Sequence, residues 1–198
     1  MRKLKMSGKV KLRGKAAKVS FMLLQTVTAI LDRHGVHYAL TGGTLLGIVR
    51  EGRFLPWDTD VDLMVNGADQ HALTWTINSL NEAGLTVKVR KMKIKHSPLR
   101  PNTYRMIKAY KDDLVIDLIV KYSDQENFFW CVSKLKIIKR IASNYYRDLE
   151  QIDFNNQKFW APRDVDGYLT ARYGEWRTPV KKYNYKQDDS AIVSDFSI

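Results

Sequence analysis

Apolar residues first recur at helical spacing in residues 15–33, where Val19, Leu23, Leu24, Val27, Ile30 and Leu31 fall on one stripe. That spacing predicts an amphipathic helix, ended near Gly35. The period then changes. "VHYALT" (36–41) and "VDLMV" (61–65) read as short strands on either side of a glycine-rich segment. Helical spacing returns over 67–84, with Ala72, Leu73, Ile77 and Leu80 inward and Gly84 just past the end. "LTVKVRKMKIK" alternates, slips phase at Arg90-Lys91 and resumes, which predicts a strand with a bulge. "NTYRMIKAY" and "DLVIDLIVKY" predict two further strands about a Lys111-Asp112 turn. A helix over about 133–146, a hairpin turning at Asn155-Asn156, and a helix over about 162–172 with Pro162 in its first turn complete the pattern. The order is mixed α and β, an α+β arrangement with too few parallel crossovers for a Rossmann domain.

Composition limits the size and setting. A chain of 198 residues with 44% hydrophobic and 11% aromatic content holds a sizeable core and is not a disordered chain. Residues 15–198 read as a single domain with a C-terminal helical closing segment, behind a basic flexible leader at 1–14. The net charge is +12, and eight of the bases (Arg2, Lys3, Lys5, Lys9, Lys11, Arg13, Lys15 and Lys18) fall in residues 1–18 with no acid among them. Such a segment is either a solvated leader or a contact for anionic membrane or a phosphate-rich acceptor. No run reaches the roughly 18 apolar residues of a membrane span. The single cysteine, Cys131, permits no internal disulfide and suits a reducing, cytoplasmic setting.

Candidate chemistry concentrates in "TGGTLLGIVREGRFLPWDTDVDLMV" (41–65). It is not a P-loop, because Gly47 is followed by Ile48, nor a dinucleotide fingerprint, because Thr44 replaces the middle glycine. Gly42 and Gly43 let the backbone approach a ligand, and Thr44 offers a hydroxyl at a helix start, where free N–H groups suit phosphate. A tight turn alone explains the two glycines equally well. Asp60 and Asp62 share one face of a strand, and carboxylates so close repel unless a cation lies between them. Magnesium, or manganese, takes such oxygen ligands together with substrate phosphates. A solvent-facing acidic strand end is the plainer reading of that pair. Asp117 changes the balance: it sits inside the apolar run "LVIDLIV", where a carboxylate is costly to bury. It is either paired with a nearby base or the third ligand of a metal site completed by Asp60 and Asp62.

Other features are weaker. His34, His37, His71 and His96 lack metal-ligand spacing. "KVRKMKIKH" with Arg100 is a basic run that reads as a solvated edge strand or as one wall of a groove for an anionic acceptor. Tyr168, Tyr173 and Trp176 read as core, with Trp176 also a candidate platform for a base or sugar.

The glycine–threonine turn, the Asp-x-Asp strand and the later third acid resemble the nucleotidyltransferase superfamily. More narrowly, Gly43-Thr44-Leu45-Leu46-Gly47, Arg50, and Pro56-Trp57-Asp58 with Asp60 and Asp62 resemble the LicD/fukutin phosphotransferases. Pro162, Tyr168-Leu169, Tyr173-Gly174 and Trp176 are similar to that family's closing segment. Thr59 stands where the family commonly has an acid, and Glu51 where histidine is frequent. The resemblance implies a nucleotidyltransferase-like mixed sheet flanked by helices. It implies a metal-dependent phosphotransferase that moves a phosphocholine- or phosphoalditol-type group from a CDP-linked donor to a hydroxyl of a glycan or glycolipid acceptor, releasing CMP. Asp60, Asp62 and Asp117 would hold the metal and act as the catalytic set. Gly42, Gly43 and Thr44 would contact donor phosphates, Arg50 would either clamp phosphate or pair with an acid of the box, and Asp58 would orient Arg50 or a metal-bound water. Pro56 and Trp57 would fix the loop. Transfer of a nucleotidyl group from an NTP to a small molecule, protein or RNA is the alternative. A non-catalytic basic nucleic-acid-binding domain is the third reading. Three acids at a phosphate site oppose it, so nucleic acid is not expected as a partner.

Overall fold

The computed structural model describes residues 10–95, 97–132, 137–180 and 183–193. Helix α1 (Lys15–Arg33) buries Leu23, Leu24, Val27, Ile30 and Leu31, as its stripe predicts. Strand β1 (Tyr38–Leu40) leads into helix α2 (Gly42–Glu51), then strand β2 (Val61–Asn66) and helix α3 (Gln70–Glu82). Asp69 caps α3 by accepting from the N–H groups of His71 and Ala72 at 2.9 Å each. Strands β3 (Thr86–Lys91), β4 (Tyr104–Lys111) and β5 (Leu114–Ser123) follow, with the expected irregularity between Arg90 and Lys91. Asp112, at the tip of the β4–β5 turn, takes a φ of 52°.

The sheet runs in the order β1-β2-β5-β4-β3, and among the described residues only β2 and β5 pair in parallel. Parallel pairing needs a crossover, supplied by α3, β3 and β4. Alternation then sorts the side chains. Val61, Leu63 and Val65 of β2 and Ile116, Leu118 and Val120 of β5 are fully buried in the core that includes α1 and α3. Asp62 and Asp117 lie on the other face.

Three expectations change. Of the helix expected over 133–146, residues 133–136 lie outside the described residues. The rest forms strand β7 (Ile137–Ala142) and a single turn, α4 (Asn144–Arg147). Ile137, Ile138 and Ile141 are β-branched, and "NFFWCV" just before them forms strand β6 (Asn127–Val132), which pairs with β7 and with the end of β5. Pro162 does not open a helix. It ends strand β9 (Gln157–Pro162), which pairs with β8 (Leu149–Phe154) around Asn155-Asn156. Helix α5 (Val165–Tyr173) starts three residues later because Asp164 caps it, accepting from the Gly167 N–H at 2.8 Å. Residues 1–9 of the leader lie outside the described residues, but its C-terminal part packs. Leu12 is 3% exposed, and its N–H donates to the Asp58 carbonyl at 2.8 Å. Leu12→Ala is expected to lower the unfolding free energy by about 2 kcal/mol in denaturant melts, the low end for a buried leucine in a segment outside helix and strand that can relax. No described helix is long and apolar enough to cross a membrane.

Candidate metal centre

Parallel pairing of β2 with β5 sets Asp62 beside Asp117, so the two carboxylates share a face on adjacent strands. Asp60, two residues earlier, falls on the same side. One oxygen from each of Asp60, Asp62 and Asp117 lies within 4.8 Å of the others. Lys108 of β4 pairs in register with Asp117, and its Nζ forms an ion pair with Asp117 Oδ2. Asp117 Oδ1 is then left buried with no hydrogen-bond partner. A buried carboxylate oxygen without a donor is costly, and a cation between the three acids satisfies it. Three oxygen donors and one orphaned oxygen fit a hard divalent ion such as magnesium or manganese.

The electrostatics agree with that geometry. Burial, then the charges of Asp60, Asp117 and Asp58, push the Asp62 carboxyl well above the usual carboxylate range. Burial also raises Asp60 and Asp117, opposed in each by Lys108. Burial, then Asp60, pushes Asp58 up to about 6. Four acids gathered this way lack enough positive charge among the described side chains.

The glycine turn is built around the same acids. A side chain at Gly42 would put its Cβ 2.4 Å from Asp62 Oδ2, and one at Gly43 would sit 2.3 Å from Asp58 Oδ2. Gly42 also takes a φ of 60°, which L side chains rarely adopt. Thr44 is buried, and its hydroxyl oxygen accepts from the Asp62 N–H at 2.8 Å, pinning the first turn of α2 to β2. Gly42→Ala should therefore rotate Asp62 out of the cluster. The expected loss in kcat is about a hundredfold, the usual cost of a roughly 1 Å misplacement, read in a transfer assay alongside an unchanged secondary-structure spectrum.

Arg50 and Trp176 fall elsewhere. Arg50 lies about 10 Å along α2 from Gly43. It donates to Glu51 Oε1 at 3.0 Å and to the Trp176 carbonyl at 3.2 Å. Its partner acid is Glu51, not Asp58. Trp176 is 7% exposed, with the Arg177 guanidinium 4.4 Å from its ring centroid, so it offers no open face to a base or sugar. Trp57, expected to fix the loop, is instead 52% exposed next to Asp58.

Sequence reasoning overlooked Lys108. Its signal was a base in the alternating run "RMIKAY", the mirror of the argument that found Asp117. It also overlooked a buried polar cluster behind the glycine turn. The hydroxyl of Thr41, the residue just before α2, lies 2.6 Å from Tyr168 Oη and 3.0 Å from Tyr146 Oη, and Tyr146 donates to Tyr168 at 2.8 Å. Lys121 Nζ donates to Tyr146, and Arg172 donates to Tyr168 at 2.7 Å.

Residues 35–164 match the family model described as "LicD/FKTN/FKRP, nucleotidyltransferase domain". A human "Ribitol-5-phosphate transferase FKTN" is 27% identical over 167 residues, covering 83% of this chain and 34% of that protein. "Lipopolysaccharide cholinephosphotransferase LicD" of Haemophilus influenzae is 38% identical over 48 residues, 24% of this chain and 18% of that one. The chain thus spans about a third of the length of the fukutin relatives it matches. A solved structure of the antibiotic-resistance factor ANT(2'')-Ia aligns with a TM-score of 0.48 at 14% identity, over 73% of this chain and 65% of that one.

Proposed function

Because the chain belongs to the LicD/FKTN/FKRP nucleotidyltransferase family, we propose that it is a metal-dependent phosphotransferase. It moves a substituted phosphoryl group, of the phosphocholine or phosphoalditol type, from a CDP-linked donor to a hydroxyl of a glycan or glycolipid acceptor. The observation that carries this reading is the convergence of Asp60, Asp62 and Asp117 with one buried oxygen unpartnered. A divalent ion held there supplies charge neutralisation on the pyrophosphate and on the departing CMP. In the transfer, the acceptor oxygen bonds to the phosphorus, the bond from that phosphorus to the CMP oxygen breaks with its electron pair leaving on CMP, and the acceptor proton passes to solvent water.

The side chains divide this work. Lys108 fixes the Asp117 carboxylate through Oδ2, leaving Oδ1 buried and free to accept a cation. Gly42 and Gly43 leave room for the acids against the first turn of α2, whose N–H groups face donor phosphate. Thr44 holds that turn to β2 rather than contacting phosphate itself. Asp58, raised to about 6, orients water at the centre. Arg50 and Trp176 brace the far end of α2 against the segment after α5.

A thermal-shift panel of CDP-choline, CDP-ribitol, CDP-glycerol, CTP and ATP with magnesium tests the donor. Stabilisation by one CDP-alcohol above the triphosphates is expected. Preference for ATP or CTP would instead favour nucleotidyl transfer. The setting proposed is cytoplasmic, with residues 1–18 contacting anionic membrane. Removal of residues 1–9 should leave turnover on a dissolved acceptor unchanged and weaken sedimentation with phosphatidylserine vesicles. Lost turnover would overturn that role.

A further inference from the structure

A cavity of about 460 Å³ opens where the sheet ends at β1. One wall is the end of α1 and the approach to β1, with Asp32 and Tyr38. The other is α4 and the start of β8, with Tyr146, Arg147 and Asp148, joined by Trp160 of β9. None of the lining residues belongs to the metal centre or to the glycine turn. Tyr38 pairs with Val65, so its side chain lies on the sheet face that α1 covers, and Asp32 belongs to α1 itself. Asp60, Asp62 and Asp117 lie on the other face. The sheet therefore stands between Asp32 and the metal centre.

Charge and ring faces decide what fits. The two arginines beside the cavity are engaged: Arg147 donates to the Gln125 carbonyl, and Arg163 pairs with Asp148 at 3.3 Å. Asp32 is exposed and has no ion pair among the described residues. Burial pushes its carboxyl up, and burial together with the Asp32 charge pushes the Tyr38 hydroxyl up to about 12. A cation held beside Asp32 would oppose both shifts. Tyr38 and Tyr146 are buried in the walls. Trp160 is half-buried, and among the described residues no cation lies over its ring.

An anion entering this cavity would meet two carboxylates, Asp32 and Asp148. A neutral sugar would use the indole face but leave the charge of Asp32 unanswered. A positively charged amine uses both, through a charge-assisted contact and a cation–π contact. The volume lies toward the low end of small-molecule sites, which run from about 300 to 1,000 Å³. We propose that this cavity binds a small organic ammonium ion, its charge held by Asp32 and its apolar part against Trp160. The site rests on its own geometry, not on the transferase reading.

Titration of the protein with benzylamine, and with benzyl alcohol as its uncharged match, provides the test. Benzylamine should shift the amide signals of residues 32–38 and 146–149. Benzyl alcohol should bind about tenfold more weakly, the scale of one charge-assisted contact. Asp32→Asn, a change at an exposed position, should weaken benzylamine about tenfold and leave benzyl alcohol within about twofold. Trp160→Leu should weaken both, with an unchanged secondary-structure spectrum as the control for folding. Asp62→Ala should bind benzylamine as the wild type does, even if no transfer is ever detected. Equal binding of amine and alcohol, full affinity in Asp32→Asn, or shifts at residues 58–62 in place of the cavity would overturn the proposal. So would tighter binding of glucose than of benzylamine, which would make this a sugar site. Displacement of benzylamine by CDP-choline with magnesium would assign the cavity to the donor and overturn it as a separate site.

Discussion

Asp62→Ala is expected to lower kcat by about three orders of magnitude or more while leaving the fold intact, because the carboxylate is a proposed metal ligand and the member of its cluster on which the other acids act. Asp60, Asp117 and Asp58 all act electrostatically on it. Without a bound cation those charges repel, so the metal-free variant should melt at or above the temperature of the metal-free wild type. Magnesium should raise the melting temperature of the wild type and not of the variant. Asp60→Ala and Asp117→Ala should lose turnover in the same way. Asp117→Ala carries an extra cost, since Lys108 would lose its partner. Full activity in any one of the three would sink the metal-centre reading. Loss of activity with loss of fold would reassign that residue to structure.

The centre was legible in the sequence because its residues break local rules. Aspartate in "LVIDLIV" and three acids at alternate positions after a glycine turn have no cheap explanation in packing. The strands around them were legible for the opposite reason, since β2 and β5 are short apolar runs and β4 buries the alternate residues Ile107 and Ala109. Neither signal reports pairing. That Asp62 and Asp117 are neighbours follows from the parallel β2–β5 register, which a long crossover sets and no short window of sequence contains. Lys108 became visible only through the same register. The misread helix over 133–146 has a local cause: "KLKIIKRIASNYY" offers apolar residues that satisfy a helical and a strand period alike. Packing of Phe128, Ile138 and Ile141 in the core decides between them. Arg50 was read as a phosphate ligand or a partner of the acid box because it lies near that box, whereas its place at the end of α2 sets it against Glu51 and the Trp176 carbonyl.

Asp189 carries the second large effect, on stability. It is 2% exposed between Arg172, at 2.9 and 2.6 Å, and Lys139, at 2.5 Å. Asp189→Asn would leave two buried cations without a counter-charge, an expected cost of about 3–5 kcal/mol at neutral pH. The pH dependence distinguishes this from lost packing. Burial alone would raise the Asp189 carboxyl, but the bond and charge of Arg172, then Lys139, hold it down at about 2. A carboxyl depressed from 3.8 to about 2 contributes stability that is complete above pH 4 and lost as pH falls from about 4 to about 2. Between those limits the gap between wild type and Asp189→Asn should narrow by about 2 kcal/mol in denaturant melts. A gap of constant size across that range would assign the loss to packing. The same substitution should reach the centre, because Arg172 donates to Tyr168, which lies 2.6 Å from the Thr41 hydroxyl just before Gly42. A drop in kcat of about tenfold, with donor KM little changed, is expected if that chain of contacts holds the glycine turn in place. An unchanged kcat would confine Asp189 to folding.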